Sequence, residues 1–342
     1  MKVADRLKDS LFRLATLAGA NAAVRRALRS RLRVVCYHGV VGGDRSDDAY
    51  RYRNTVSVAQ FRRQLATLSR HFSPVSAGDV LDWVERGTRL PDSAVLVTFD
   101  DGYRNNLVHA LPELERYGVP ALVSVTTGYI GQRRLLWTQE VNERVLQTRR
   151  PTLPLPADGG SAAVPDAVVG RIALAERIRG SCKALSRAAL TVYLGRLSDA
   201  CAGEALQLDD ELYNFLSWDE VRALARRGVA IASHTVEHPI LSRLDRDALV
   251  IELQESRATI ERELGTACPW IAYPNGGFED ISADVISVAR ESGYRVGFSL
   301  TGRVNSAAPD PLMIDRICIV GHVPDPVFDV RISGLHGALA RG

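Results

Sequence analysis

Long apolar runs are missing from this chain of 342 residues. No stretch approaches the roughly 20 apolar residues that a bilayer-crossing helix needs, so a transmembrane segment is not expected. Charge of one sign is missing too. A net charge of +3 gives no electrostatic footprint for nucleic acid. Lysine stands only at Lys2, Lys8 and Lys183, so arginine carries nearly all the positive charge. Cysteine is scarce. Cys36, Cys182, Cys201, Cys268 and Cys318 have neither zinc-ribbon nor redox-motif spacing, and their odd number favours reduced, mostly buried thiols. What the chain does have is a 46% hydrophobic content, enough for one large domain or two small ones.

The N-terminus predicts an amphipathic helix over residues 3–29, with Val3, Leu7, Leu11, Leu14 and Leu17 on one face. Arg13 interrupts the only stretch that could serve as a secretory signal. Arg25, Arg26, Arg29, Arg31 and Arg33 follow, and such a basic segment could rest on an anionic membrane. The expectation is a cytoplasmic protein with possible contact to the inner membrane face.

Beyond residue 32, short β-branched runs alternate with helical patterns. Strands are predicted at 33–37, 95–99, 121–125, 229–232, 270–273, 296–300 and 314–320. Helices are predicted at 58–72, 105–117, 218–227 and 246–264. Ser217 and Glu220 mark a helix start, and Gly118 and Gly228 mark helix stops. Alternation of this kind implies a parallel sheet, and about seven units fit a closed or nearly closed barrel. Residues 132–216 break the rhythm: 151–165 reads as a loop and 167–197 as helical. The expected organisation is an N-terminal basic helix (1–32), a barrel (33–325) carrying an insertion (132–216), and a C-terminal helix or tail (326–342).

The chemistry-bearing residues follow the strands. The first ends in His38-Gly39 and the second in Asp100-Asp101-Gly102. The fourth runs into Ser233-His234-Thr235-Val236-Glu237-His238, and the fifth into Pro274-Asn275-Gly276-Gly277. In an α/β barrel these carboxyl ends share the face that carries the active site. Two histidines and a carboxylate suit a divalent metal. Adjacent carboxylates on extended backbone point in different directions, so either Asp100 or Asp101 could bind metal while the other faces substrate.

Thr98-Phe99-Asp100-Asp101-Gly102 and Ser233-His234-Thr235-Val236-Glu237-His238-Pro239 resemble the first two motifs of the polysaccharide deacetylase (NodB-homology) family, carbohydrate esterase family 4. Tyr37-His38-Gly39-Val40, Leu216-Ser217-Trp218-Asp219 and Ala272-Tyr273-Pro274-Asn275-Gly276 are similar to segments of one branch. The resemblance runs over roughly 33–320. It implies a distorted (β/α) barrel and a hydrolase that removes N-acetyl groups from amino sugars of a polysaccharide, oligosaccharide or lipid-linked saccharide. It also implies a divalent metal, zinc first and cobalt or nickel as alternatives, held by Asp101, His234 and His238. Asp100 matches the general base. A backbone N–H near Asn275 would hold the oxyanion, with Tyr273 and Tyr103 beside the substrate.

The later motifs depart from the family pattern. Ala272 and Asn275 stand where an arginine and an aromatic residue are common, so Arg316 is the candidate to orient Asp100. The general acid falls to His322 or His38, with Leu335-His336 a weaker match. Two histidines and a carboxylate also describe non-haem iron oxygenases, but those sit on all-β scaffolds. A silent glycan-binding barrel and a hydrolase of another small amide, such as a formamide, are the remaining alternatives.

Overall fold

The computed structural model describes residues 19–43, 48–156, 160–321 and 324–335. In chain order it begins with helix α1 (Ala20–Ala27), strands β1 (Arg33–Tyr37), β2 (Gly39–Val41) and β3 (Thr55–Ser57), and helix α2 (Val58–His71). Next come β4 (Ser73–Pro74), α3 (Ala77–Arg86), β5 (Ala94–Phe99), α4 (Leu111–Tyr117), β6 (Ala121–Val125) and α5 (Trp137–Gln147). A hairpin of β7 (Thr152–Pro154) and β8 (Ser161–Ala163) leads to α6 (Val168–Cys182), α7 (Arg187–Ala200) and the single-turn α8 (Asp210–Tyr213). The chain then runs through α9 (Trp218–Arg226), β9 (Ala230–Ser233), α10 (Arg246–Leu264) and β10 (Trp270–Ala272). It ends with α11 (Ala283–Glu291), β11 (Val296–Phe298), β12 (Ile317–Cys318) and α12 (Asp325–Ser333).

Seven strands form one parallel path, β11-β10-β9-β6-β5-β1-β12, with β4 pairing β5 off that path. A bridge from Phe298 to Ile314 ties β11 to the chain just ahead of β12, so the curled sheet is a half-barrel whose two ends approach each other. Every residue of β1, β5 and β6 is buried, which is what helices on one face and a filled interior on the other require. Val35, Val97, Phe99, Val123 and Val125 share the outer core with Phe61, Leu65 and Leu68 of α2 and with Val221 and Leu224 of α9. Val34, Leu96, Leu122, Ala232, Ala272 and Phe298 fill the interior.

That two-residue alternation decides where the polar groups go. The inward rows climb from Val34 to Cys36 and His38, from Leu96 to Thr98 and Asp100, and from Ala232 to His234. Beside β12 the row is Ile314, Arg316, Cys318. Apolar side chains fill the lower barrel, and reactive ones gather at the carboxyl end.

The expected helix start at Ser217 is a complete capping box with Glu220, and Gly118 closes α4 in the left-handed region. The stretch 167–197 is helical as expected, whereas the loop expected at 151–165 and the helix start expected at 105 differ. Residues 151–165, expected as a loop, include the β7–β8 hairpin, because Thr152–Pro154 and Ser161–Ala163 pair antiparallel. Residues 167–197 form two helices, since Ser186 caps the second by accepting the Ala189 N–H. The helix expected from 105 opens as a π-turn over Asn106–Ala110, a distortion that often marks functional sites. Of the helix expected over 3–29, residues 1–18 lie outside those described; α1 rests on α12, with Ser333 Oγ donating to Asn21 at 3.4 Å. No helix among the described residues is long and apolar enough to cross a membrane.

Candidate active site

The site starts where β5 ends. Asp100 keeps extended pairing, its N–H donating to the Tyr37 carbonyl at 2.9 Å. Asp101 then turns sharply, at φ 74°, and Gly102 follows at φ 87°. A Cβ at Gly102 would sit 3.2 Å from both Ile130 and Val125, so the left-handed backbone angle that favours glycine there is joined by a tight fit. The turn sends the neighbouring carboxylates to different partners. Left-handed φ values recur at Thr235 (68°), His238 (54°) and Asn275 (60°). Strain of this sort persists where the surroundings over-determine it, and four of the five non-glycine instances among the described residues fall in this site.

Asp100 faces Arg316. Two parallel bonds of 2.7 Å join the guanidinium to the two carboxylate oxygens, and both side chains are buried. Arg316 is fixed in turn by the Ser299 carbonyl (3.0 Å) and by Thr98 Oγ1 (3.3 Å). The Cys36 thiol donates to Asp100 at 3.3 Å. Burial alone would raise the Asp100 carboxyl, but the Arg316 charge, helped by His234, outweighs it and holds the group well below the usual carboxylate range.

Asp101 faces the two histidines. Its Oδ1 lies 3.5 Å from His234 Nε2 and 3.4 Å from His238 Nε2, and that oxygen has no hydrogen-bond partner. His234 Nδ1 donates to the Ala272 carbonyl at 2.7 Å, which orients the ring so that Nε2 is the nitrogen turned toward Asp101. Burial first, and His234 second, push the His238 pKa down to about 4, so its ring is neutral at pH 7. Atoms bound at roughly 2.1 Å to one tetrahedral ion would sit about 3.4 Å apart. An orphaned carboxylate oxygen, two imidazole Nε2 atoms and these spacings fit a divalent cation. The three ligating atoms all lie within 4.8 Å of one another.

The histidine loop is held from behind. Glu252 on α10 is buried, accepts the Val236 and Glu237 N–H groups at 2.9 Å each, and takes Arg187 at 2.9 Å. Glu252→Ala leaves two amides and a guanidinium without their acceptor. The expected result is a zinc affinity lower by about 10- to 100-fold, read by competition with a chromophoric chelator. An unchanged affinity would mean that Glu252 does not set the loop.

The remaining expected residues divide. His38, Tyr103 and Asn275 line the same cavity of about 490 Å³ as Asp100, Asp101, His234 and His238. Burial opposes charge on His38, but Cys318, Asp101 and Asp100 outweigh it and hold its pKa up at about 9. Asn275 Nδ2 is buried without a partner. Tyr103 stacks on Phe215 and accepts from Gln139 at 2.6 Å. Tyr273 also borders the cavity, and its hydroxyl donates to the Leu312 carbonyl at 3.0 Å. Arg316 does not line the cavity. It sits behind Asp100 and holds that carboxylate through both oxygens. His322 and His336 lie outside the described residues. Cys36, Thr98 and the Ala272 carbonyl are not singled out by the sequence, although the alternation of β1 and β5 turns Cys36 and Thr98 to the same interior as Asp100.

Residues 87–154 and 182–297, more than half of the chain, match the polysaccharide deacetylase family. The chain belongs to that family. A chitooligosaccharide deacetylase of Rhizobium leguminosarum bv. trifolii is 28% identical over 130 residues, 34% of this chain. The chain spans 59% of the length of that relative. Among solved structures, the deacetylase PplD of Streptococcus pyogenes in complex with acetate matches with a TM-score of 0.56 at 18% identity, over 85% of this chain and 92% of that one. A de-N-acetylase of Aggregatibacter actinomycetemcomitans matches with a TM-score of 0.57 at 18% identity, over 88% and 99%. At these identities the structural likeness is one of fold. The family match pauses at 155–181, a stretch that holds nearly all of α6.

Proposed function

We propose that this member of the family is a metal-dependent hydrolase that removes N-acetyl groups from amino sugars of a glycan. The observation that carries the reading is the pairing, in one cavity, of an ionised carboxylate fixed by Arg316 with an orphaned Asp101–His234–His238 cluster. The partial likeness to a chitooligosaccharide deacetylase supports an N-acetylated saccharide as substrate.

Asp101, His234 and His238 would hold the cation, zinc being the ion that this donor set suits best. A bound divalent ion supplies Lewis acidity, polarising the acyl carbonyl and acidifying water. Asp100 takes the proton of the attacking water, and Arg316 keeps it ionised and aimed. The water oxygen adds to the acyl carbon, and negative charge moves to the carbonyl oxygen beside the backbone at Asn275. His38 gives a proton to the departing sugar nitrogen; it is the imidazole among the described residues that lines the cavity outside the cluster.

The test uses the purified, zinc-loaded chain and a panel of N-acetylated and N-formylated oligosaccharides, free and lipid-linked, followed by mass spectrometry. The proposal expects loss of one acetyl group per event. Loss of formyl alone would reassign the acyl group, and no loss from any member would overturn the reading.

A further inference from the structure

The cavity that holds the cluster has a second set of lining residues, which the chemistry above does not use. Arg51, Arg53, Arg179 and Lys183 border it, with Glu143 and Glu176 the acidic groups among them. Arg51 is committed, to Asp48 at 2.9 Å and Glu143 at 3.0 Å. The other three cations are not fully used. Arg53 donates to the Tyr50 carbonyl at 2.7 Å and stacks over the Tyr50 ring at 4.3 Å, and among the described residues no carboxylate pairs with it. Arg179 reaches Glu176 through Nη2 at 2.5 Å, but its Nε is buried without a partner. Lys183 is exposed and unpaired among the described residues.

Burial and then the charge of Arg179 pull the Arg53 guanidinium below its ordinary pKa. Two guanidinium groups are therefore held in one partly desolvated space, one of them with an idle buried donor. Glu176 offsets one of these two positive charges, pairing with Arg179 and also acting on Arg53, so one positive charge and the idle donor are left for a second anion. Arginine forks suit the planar, multi-oxygen faces of phosphate and carboxylate. Arg53 and Arg179 lie outside the stretches that match the family, and Lys183 lies just inside the second.

We infer that Arg53, Arg179 and Lys183 form a subsite for an anionic substituent, phosphoryl or carboxylate, carried by the acylated saccharide. The inference rests on the proposed function for the saccharide itself; the charge recognition can be read by binding alone. Titration calorimetry on the zinc-loaded protein would compare N-acetylglucosamine, N-acetylglucosamine 1-phosphate and a disaccharide of glucuronate with N-acetylglucosamine. At low salt one of the anionic probes should bind at least about 10-fold tighter than its neutral counterpart. The better one identifies the oxyanion. The advantage should shrink as salt is added. It should fall toward unity in Arg53→Gln and Arg179→Gln, and weaken in Lys183→Gln, whose exposed position removes any question of folding.

Any anion drawn to the zinc itself would bind the variants equally, so a preference that survives all three substitutions overturns the subsite. So does equal affinity for all three probes. Acetate release, followed in parallel, separates the two claims. No charge preference with acetate still released removes the subsite and leaves the proposed function. A charge preference with no release from any probe leaves the subsite and removes the deacetylase reading.

Discussion

Asp100→Asn is expected to lower kcat/KM for deacetylation by about 10²- to 10⁴-fold, the usual contribution of a positioned general base. The substitution keeps the shape of the side chain and one oxygen for Arg316, but it removes the charge that accepts a proton. Because the partner guanidinium is buried, the variant should also melt earlier than the parent. Circular dichroism separates the two effects: a folded, zinc-binding, inactive protein is the predicted state. Activity within about threefold of the parent, well short of the loss general-base removal causes, would remove Asp100 from the mechanism.

The second large effect falls on stability. Arg316→Met is expected to destabilise the fold by about 3–5 kcal/mol, because it strands the Asp100 carboxylate in a buried site. Thr98 and the Ser299 carbonyl lose a partner at the same time. The double variant Asp100→Leu/Arg316→Met removes both charges and should recover much of that loss in chemical denaturation. A positioning role makes a further demand. Arg316→Lys restores the charge but not the two-pronged geometry, so it should recover stability more than kcat, with KM near the parent's. Equal recovery of both would reduce Arg316 to a structural ion pair.

These predictions rest on a fold whose main strands are legible because burial on both faces makes them short, mostly apolar runs. Arg33–Tyr37 and Ala121–Val125 coincide with their apolar runs, and Ala94–Phe99 starts one residue early. The short strands β2, β3, β7 and β8 carry no such signal. In β8, two of three residues are exposed, so no apolar run announces it. Helices α3, α5 and α11 are not among the expected elements, although Ser76 and Ser282 cap α3 and α11.

The cluster Asp101–His234–His238 and the neighbouring carboxylate of Asp100 are legible because they follow strand ends, where topology alone brings distant segments together. Arg316 is legible only as the arginine near a late apolar run; the tertiary pairing with Asp100 supplies its role. Tyr273 is legible as a rim residue from its place at the end of the fifth predicted strand, whereas the bond of its hydroxyl to the Leu312 carbonyl is a tertiary contact that the sequence does not announce. The cation set of Arg53 and Arg179 is invisible in the sequence. Its members come from an irregular segment and from a helix of a region with no strand rhythm, and only packing brings them to one cavity.

The central claim is that Asp101, His234 and His238 bind one catalytic cation beside Asp100. Its most direct test is acetate release by chelator-stripped protein during titration with zinc. The account predicts no activity without metal, a linear rise, and a plateau at one equivalent. Full activity in the stripped protein, or a rise that ignores the stoichiometry and persists in His238→Ala, would contradict it.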